Sequence, residues 1–492
     1  MNVDPVLPGF FPDPSICRVG DDHYLIASSF EYFPGVPIFH SRDLTTWRQI
    51  GNVLDRPSQL TVASGLDGAS KGIYAPTLRH HDGFFWMITT NLTTMDELRK
   101  GHLIVRAEDP AGPWSDPVHT SGAIGFDPDL SWDDEGTCHL TWALPGSIMH
   151  ATVDPTTGKL LSEPGKLWSG TGLASPEGPH LFRRGDWWYL VVAEGGTGPG
   201  HGVSVARSRA ATGPFEAHPA NPILSHRSTD HPVQNTGHAD FVELADGRWA
   251  MVHLGVRPRG AHPRWHVNGR ETFITGVDWV DDWPVVVEDA FGGIAPDTSF
   301  ADEFAGAALH PRWISPGTRP AGFATPRGPE GGVALRAGRA HGEREARHLL
   351  AVRTCDESWQ ADATVPVGDA ALVVRVDDAH WAAVERRGTV VSVRMVIGPL
   401  DQVLATASEV HSDRPLAVRA VPVPSGFAPR NPPDRLQLGY VDGDFHCVAE
   451  VDGRYLSTEV AGGFTGRVVG VEALGGDAVL TRFAYEALPV PR

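Results

Sequence analysis

The chain of 492 residues is long enough for two or three domains with a sizeable buried core, and 60 acidic against 41 basic residues leave a net charge of -19. No basic stripe interrupts that acidity, which argues against nucleic acid and anionic membranes as partners. The N-terminus lacks a charged segment followed by an apolar one, and no run of about 18 apolar residues occurs, so a soluble cytoplasmic protein is expected.

With 55 glycines and 41 prolines, the apolar stretches are short, rich in aromatic and β-branched residues and broken by turn pairs, which predicts an all-β chain with little helix. Cys17, Cys138, Cys355 and Cys447 are far apart and form no CxxC. They indicate neither a disulfide framework nor a zinc site and read as small buried apolar residues.

In chain order, "VGDDHYLIAS", "HHDGFFWMIT", "WDDEGTCHLTW", "RRGDWWYLVVA" and "LADGRWAMVH" each join an Asp/Gly turn to a strand, with Asp22, Asp82, Asp134, Asp186 and Asp246 marking the turns. Five such hairpins at a period of about 55 residues fit blades of four strands each, a five-bladed β-propeller, with a large sandwich as the competing architecture. Just upstream of each turn, where the innermost strand begins, stand Asp13, Tyr74, Asp127, Glu177 and His238. In a propeller these positions face one another around a central funnel, so three carboxylates converge. Taken singly each has a plainer reading, since Asp13 and Asp127 precede prolines and could cap turns, and Glu177 could be solvated. The matched registry favours the funnel.

Facing carboxyl groups are what glycoside hydrolysis needs, one protonated acid and one partner acting at the anomeric carbon or on water. A third carboxylate raises the acid's pKa and keeps it protonated near neutral pH. Two prolines flanking Asp13 limit backbone freedom, which suits a base that holds a water in one place.

The segments "LPGFFPDPS", "SSFEYFPGVPIFHSRDLTTW", "GIYAPTLRHHDG", "GFDPDLSWDDEG", "SPEGPHL", "AEGGTGPGHGVSVARS", "NTGHADFVE" and "NGRETFI" run in order through residues 5 to 287 and together resemble glycoside hydrolase family 43, most of all its two-domain β-xylosidases and α-L-arabinofuranosidases. The resemblance implies an inverting enzyme with Asp13 as general base, Glu177 as general acid and Asp127 tuning and orienting the acid. It further implies that Arg270 contacts the sugar and helps keep Asp127 ionised, and that Phe30, Phe126, Thr197 and His238 line the pocket. For Phe30 and Phe126 an ordinary core role competes. Two departures bear on subsite preference: Tyr74 stands where Trp is frequent, and Asp129 adds a charge beside Asp127. Trp142 is a weaker candidate for the pocket wall. No cofactor is expected; an axial Ca2+ near His238 and a homo-oligomer are compatible with the sequence and not required by it.

Two other motifs are decoys. "GASKG" at residues 68 to 72 lacks the strand and helix of a nucleophile elbow, and "EGGTGPGHG" leads into a strand and not a phosphate-binding helix.

The propeller is expected over residues 1–290. After a Gly/Pro-rich linker, short alternating strands such as "ALVVRVDDAHWAAVERRG" predict a β-sandwich over 301–492, which the resemblance makes lectin-like, shaping the pocket rim. The expected activity is release of terminal β-1,4-linked xylose from short xylo-oligosaccharides, together with α-L-arabinofuranosides. The alternatives are a dedicated debranching arabinofuranosidase and a propeller that binds carbohydrate without turning it over.

Overall fold

A computed structural model describes residues 3–338, 347–423 and 431–490. Five antiparallel sheets occupy the first part of the chain. Blade 1 comprises Ser15–Val19, Asp22–Ile26, Gly35–Ser41 and Arg48–Leu54; blade 2 Thr77–His81, Phe84–Thr89, Leu103–Ala107 and Val118–His119. Blade 3 is built from Phe126–Trp132, Cys138–Leu144 and Ser147–Asp154, with Lys159–Leu160 and Gly165–Trp168 both pairing with its third strand. Blade 4 holds Glu177–Arg184, Trp187–Glu194, Gly202–Ser208 and Glu216–Ala217, and blade 5 Gln234–Glu243, Trp249–Val256, Glu271–Val280 and Trp283–Val287. The first strand of each blade touches the first strand of the next, and blade 5 meets blade 1, so the ring closes.

Strand alternation explains why these strands are apolar on both faces. In blade 2, Phe85 and Met87 pack toward blade 1 while Trp86 and Ile88 pack toward blade 3. In blade 4, Leu190 and Val192 face blade 3, and Tyr189 and Val191 face blade 5. Every blade therefore contributes to two interblade cores. Trp142 is one of these core residues, 1 % exposed, with its indole N–H donated to the Ile124 carbonyl, and it is not a wall of the pocket. Cys17 and Cys138 are buried as expected, Cys355 is half-buried, but Cys447 is exposed on the edge strand Asp444–Asp452.

The C-terminal part is a sandwich of two six-stranded sheets and a small three-stranded one. On its strand Ala370–Asp377, Leu372, Val374 and Val376 fill the sandwich core, whereas Ala371 and Val373 face outward and meet Phe10 and Tyr32 of the propeller. Arg375 shares that outward parity. It is fully buried and donates to Glu31 Oε1 at 2.6 Å and to the Tyr32 hydroxyl at 2.9 Å, with Asp378 on its other side at 3.0 Å. The short strand Ser315–Pro316 also pairs with Tyr32–Phe33 across the two parts. Removing one partner of a buried ion pair strands the other charge, so Arg375→Met is expected to lose about 3–5 kcal/mol of unfolding free energy in urea, and Glu31→Gln in the same chain to recover part of it.

Among the described residues, no helix is long and apolar enough to cross a membrane.

Candidate active site

The inner strands do not enter the funnel as regular ladders. Register shifts interrupt the pairing between Phe126 and Asp129, between Glu177 and His180, and on both sides of Gly237. Asp13, Asp127 and His238 have φ of 55°, 53° and 52°, a left-handed conformation unusual for residues with a Cβ. Bulges and positive φ re-aim side chains that a regular strand would send into the interblade cores. Gly178, at φ 56°, follows Glu177, and a Cβ there would lie 2.7 Å from the His238 ring.

Around Asp13, Ser28 donates its hydroxyl to Oδ2 at 2.6 Å and Arg270 donates to Oδ1 at 3.0 Å. The same Arg270 nitrogen donates to Thr197 Oγ1 at 3.1 Å. Asp127 Oδ2 accepts the Gly178 N–H at 3.2 Å and faces His238 Nε2 at 3.4 Å. The ion pair of Arg270 is thus with Asp13. The immediate partners of Asp127 are the Gly178 amide and His238.

Burial raises the Glu177 carboxyl, the charges of Asp127 and Asp13 add to it, and His238 and Arg270 only partly oppose them, leaving its pKa at about 7. Burial would also raise Asp13, but Arg270, His238 and the Ser28 hydroxyl outweigh it and hold that carboxyl below the ordinary aspartate value. Two carboxyl groups whose environments push their pKa values apart are suited to opposite proton-transfer roles.

Phe30 and Tyr74 pack edge to face, with ring centres 5.6 Å apart. Phe126 flanks Asp127 in sequence, but its half-buried ring packs against the core between blades 3 and 4. The aromatic cluster has a third member that the sequence did not single out. Phe464, from the C-terminal domain, lies 6.0 Å from Phe30 and 6.1 Å from Tyr74, with the Arg270 guanidinium 5.1 Å from its ring centre. Its backbone N–H is donated to Ser70 Oγ, so the "GASKG" segment serves as the seat of this loop. Gly463 and Gly466 make the approach close enough, since a Cβ would lie 2.3 Å from Ser70 Oγ in one case and 2.2 Å from the Asn268 carbonyl oxygen in the other. An aromatic between glycines in "AGGFTG" was the available signal. Phe464→Ala is expected to lower kcat/KM about 10-fold, roughly one aromatic contact, with little change in the urea midpoint.

Beneath the funnel, each blade supplies one side chain to a polar hub. Arg79 donates to Asp129 Oδ1 at 2.7 Å, to Asp240 Oδ2 at 2.7 Å and to Ser15 Oγ at 3.3 Å, and lies 3.0 Å from His180 Nδ1. Leu181 N–H takes Asp129 Oδ2, while Ser15 Oγ and the Ile16 and Phe241 N–H groups take Asp240. Asp129 is consequently a buried partner of Arg79 and does not add a free charge beside Asp127. All four carboxylate oxygens of Asp129 and Asp240 have N–H or O–H donors, which does not fit a Ca2+ ion needing open oxygen ligands. At His238 burial lowers the pKa, but Asp13 and Asp127 outweigh that and bring it to about 9.

A family description, glycosyl hydrolases family 43, matches residues 3–284, and a second, the β-xylosidase C-terminal concanavalin A-like domain, matches residues 301–485. The chain belongs to glycosyl hydrolase family 43. It is 45 % identical over 297 residues to a non-reducing end α-L-arabinofuranosidase of Bacteroides ovatus and 46 % identical over 300 residues to a xylosidase/arabinosidase of Butyrivibrio fibrisolvens. Those alignments cover 60 % and 58 % of this chain but 54 % and 56 % of the two proteins, so the chain spans about half the length of the curated relatives it matches. Among solved family 43 structures, a xylan β-1,4-xylosidase from Bacillus halodurans superposes with a TM-score of 0.85 at 28 % identity, covering 98 % of this chain and 99 % of that one. The Bacteroides ovatus protein described as Xyloglucan PUL GH43B gives 0.87 at 33 % identity, covering 99 % of both chains. The five-bladed propeller and lectin-like sandwich are the fold of this family 43 chain.

Proposed function

We propose that this chain is an exo-acting glycoside hydrolase that removes terminal β-1,4-linked xylose from short xylo-oligosaccharides and also cleaves α-L-arabinofuranosides, with inversion at the anomeric carbon. The observation that carries the reading is the split pair: Asp13 held ionised by Arg270, and Glu177 held protonated near neutrality by burial and by Asp127.

In this reading Glu177 gives its proton to the departing glycosidic oxygen while Asp13 takes a proton from a water that attacks the anomeric carbon from the opposite face. One C–O bond breaks as another forms, and once the products leave, Asp13 gives its proton to solvent and Glu177 takes one from solvent, which restores both groups. Asp127 stays beside Glu177, fixed by the Gly178 amide and His238, and its negative charge favours the protonated acid. Arg270 and Thr197 offer donors to sugar hydroxyls, and Phe30, Tyr74 and Phe464 offer an apolar wall.

A preference for arabinofuranosides is the second reading, supported by the name of the Bacteroides ovatus relative and by Tyr74, a smaller ring than Trp. Hydrolysis of aryl β-D-xylopyranoside and aryl α-L-arabinofuranoside side by side, with Asp13→Asn as the blank, separates the readings. Faster xyloside turnover supports the first and faster arabinofuranoside turnover the second. Saturable sugar binding without turnover of either would overturn both in favour of a carbohydrate-binding propeller.

A further inference from the structure

Away from the funnel, the connection from blade 4 to blade 5 and the segment that leaves blade 5 bring together His226, His231 and Glu288. Their candidate ligand atoms all lie within 4.8 Å of one another. Sequence spacing could not have shown this, because Glu288 is 62 residues beyond His226.

Both imidazoles rest on one backbone group. The Val233 carbonyl is 2.8 Å from His226 Nδ1 and 3.0 Å from His231 Nδ1, and the two ring centres are 3.8 Å apart. An Nδ1–H donated to a backbone carbonyl fixes the tautomer that leaves Nε2 with its lone pair, the second-shell arrangement typical of metal-binding histidines. His226 Nε2 faces Glu288 Oε2 at 2.9 Å, whereas His231 Nε2 is buried with no hydrogen-bond partner. The Val233 N–H also approaches His231 Nδ1, at 3.1 Å, but the tautomer it would select strands an N–H at Nε2 in the interior.

We propose that His226, His231 and Glu288 form a binding site for a divalent transition ion, Zn2+ by its donor chemistry. Two imidazoles and one carboxylate make a nitrogen and oxygen set of the kind zinc accepts, with water completing a tetrahedron. Glu288, whose side chain is 41 % exposed, gives the ion a way in. The ligands come from the loop that enters blade 5 and from the short 3-10 turn Glu288–Ala290 where the chain leaves it for the second domain. The ion therefore acts as a clamp that fixes the exit of the propeller, and it takes no part in the chemistry of the funnel.

The test is titration of the metal-stripped full chain with ZnCl2 by calorimetry, followed by Co2+ substitution and the visible spectrum. One saturable site per chain is expected, with tetrahedral Co2+ bands and a thermal midpoint raised by Zn2+. His231→Gln is expected to weaken binding at least about 100-fold, the upper end of what loss of even an outer-shell partner does, and to abolish the thermal shift. Glu288→Gln is a second variant in case the first fails to fold, and exposed His310→Asn in the other domain should bind as wild type. No saturable binding, or a wild-type isotherm in His231→Gln and Glu288→Gln, would overturn the proposal.

Discussion

Glu177→Gln is expected to lower kcat by roughly 10²–10⁴-fold on substrates with a sugar leaving group, the usual contribution of a positioned general acid. The loss should be much smaller on aryl glycosides, whose leaving group departs without a proton, and that contrast separates an acid from a residue that merely shapes the pocket. The pH profile supplies an independent check. The reactive form of Glu177 is the protonated one, so kcat should fall as pH rises through about 7. The reactive form of Asp13 is the ionised one and its pKa lies below the ordinary 3.8, so the acid limb should fall only under that pH. In Glu177→Gln the alkaline limb should vanish from the residual rate; a limb that persists there would remove Glu177 from the acid's role.

Arg79→Met is expected to be the most destabilising substitution in the propeller. Its guanidinium is the shared partner of two buried aspartates from different blades, and removing it leaves both charges unpaired in the interior. Breaking one buried pair costs about 3–5 kcal/mol, and here two carboxylates lose their cation together, so the urea midpoint should fall by at least that much. Placing Asp129→Asn and Asp240→Asn in the Arg79→Met chain should restore a measurable part, because neutral amides tolerate the vacancy. Asp129 and Asp240 stand two residues beyond Asp127 and His238, and His180 three beyond Glu177, so a hub loosened without unfolding should also lower kcat. Unchanged stability in Arg79→Met would show that water reaches the hub.

The five blades were legible because each repeats a turn and strand pattern whose period follows from local chemistry. The funnel residues were legible because matched registry puts Asp13, Tyr74, Asp127, Glu177 and His238 at the same point of each repeat. What was not legible depends on which distant groups meet. That Arg270 pairs with Asp13 depends on side-chain direction and not on order in the chain. Asp129 looked like a loose charge because its partner, Arg79, is fifty residues earlier in another blade. Phe464 was hidden for a different reason: the second domain has no repeat against which an unusual aromatic would stand out. Its glycine neighbours made the approach possible without announcing what was approached.

A library of variants screened only for heat tolerance would select against the proposed chemistry. Left-handed backbone at Phe30 and His238 costs each roughly 1–2 kcal/mol that glycine would not incur, and less at Asp13 and Asp127, since aspartate shares asparagine's tolerance of that conformation. Survivors of such a screen would accumulate glycine or asparagine where the funnel needs its carboxylates and its imidazole. The same arithmetic makes asparagine the fairer knockout at Asp13 and Asp127, because it tolerates the left-handed conformation, whereas alanine would confound lost chemistry with added strain.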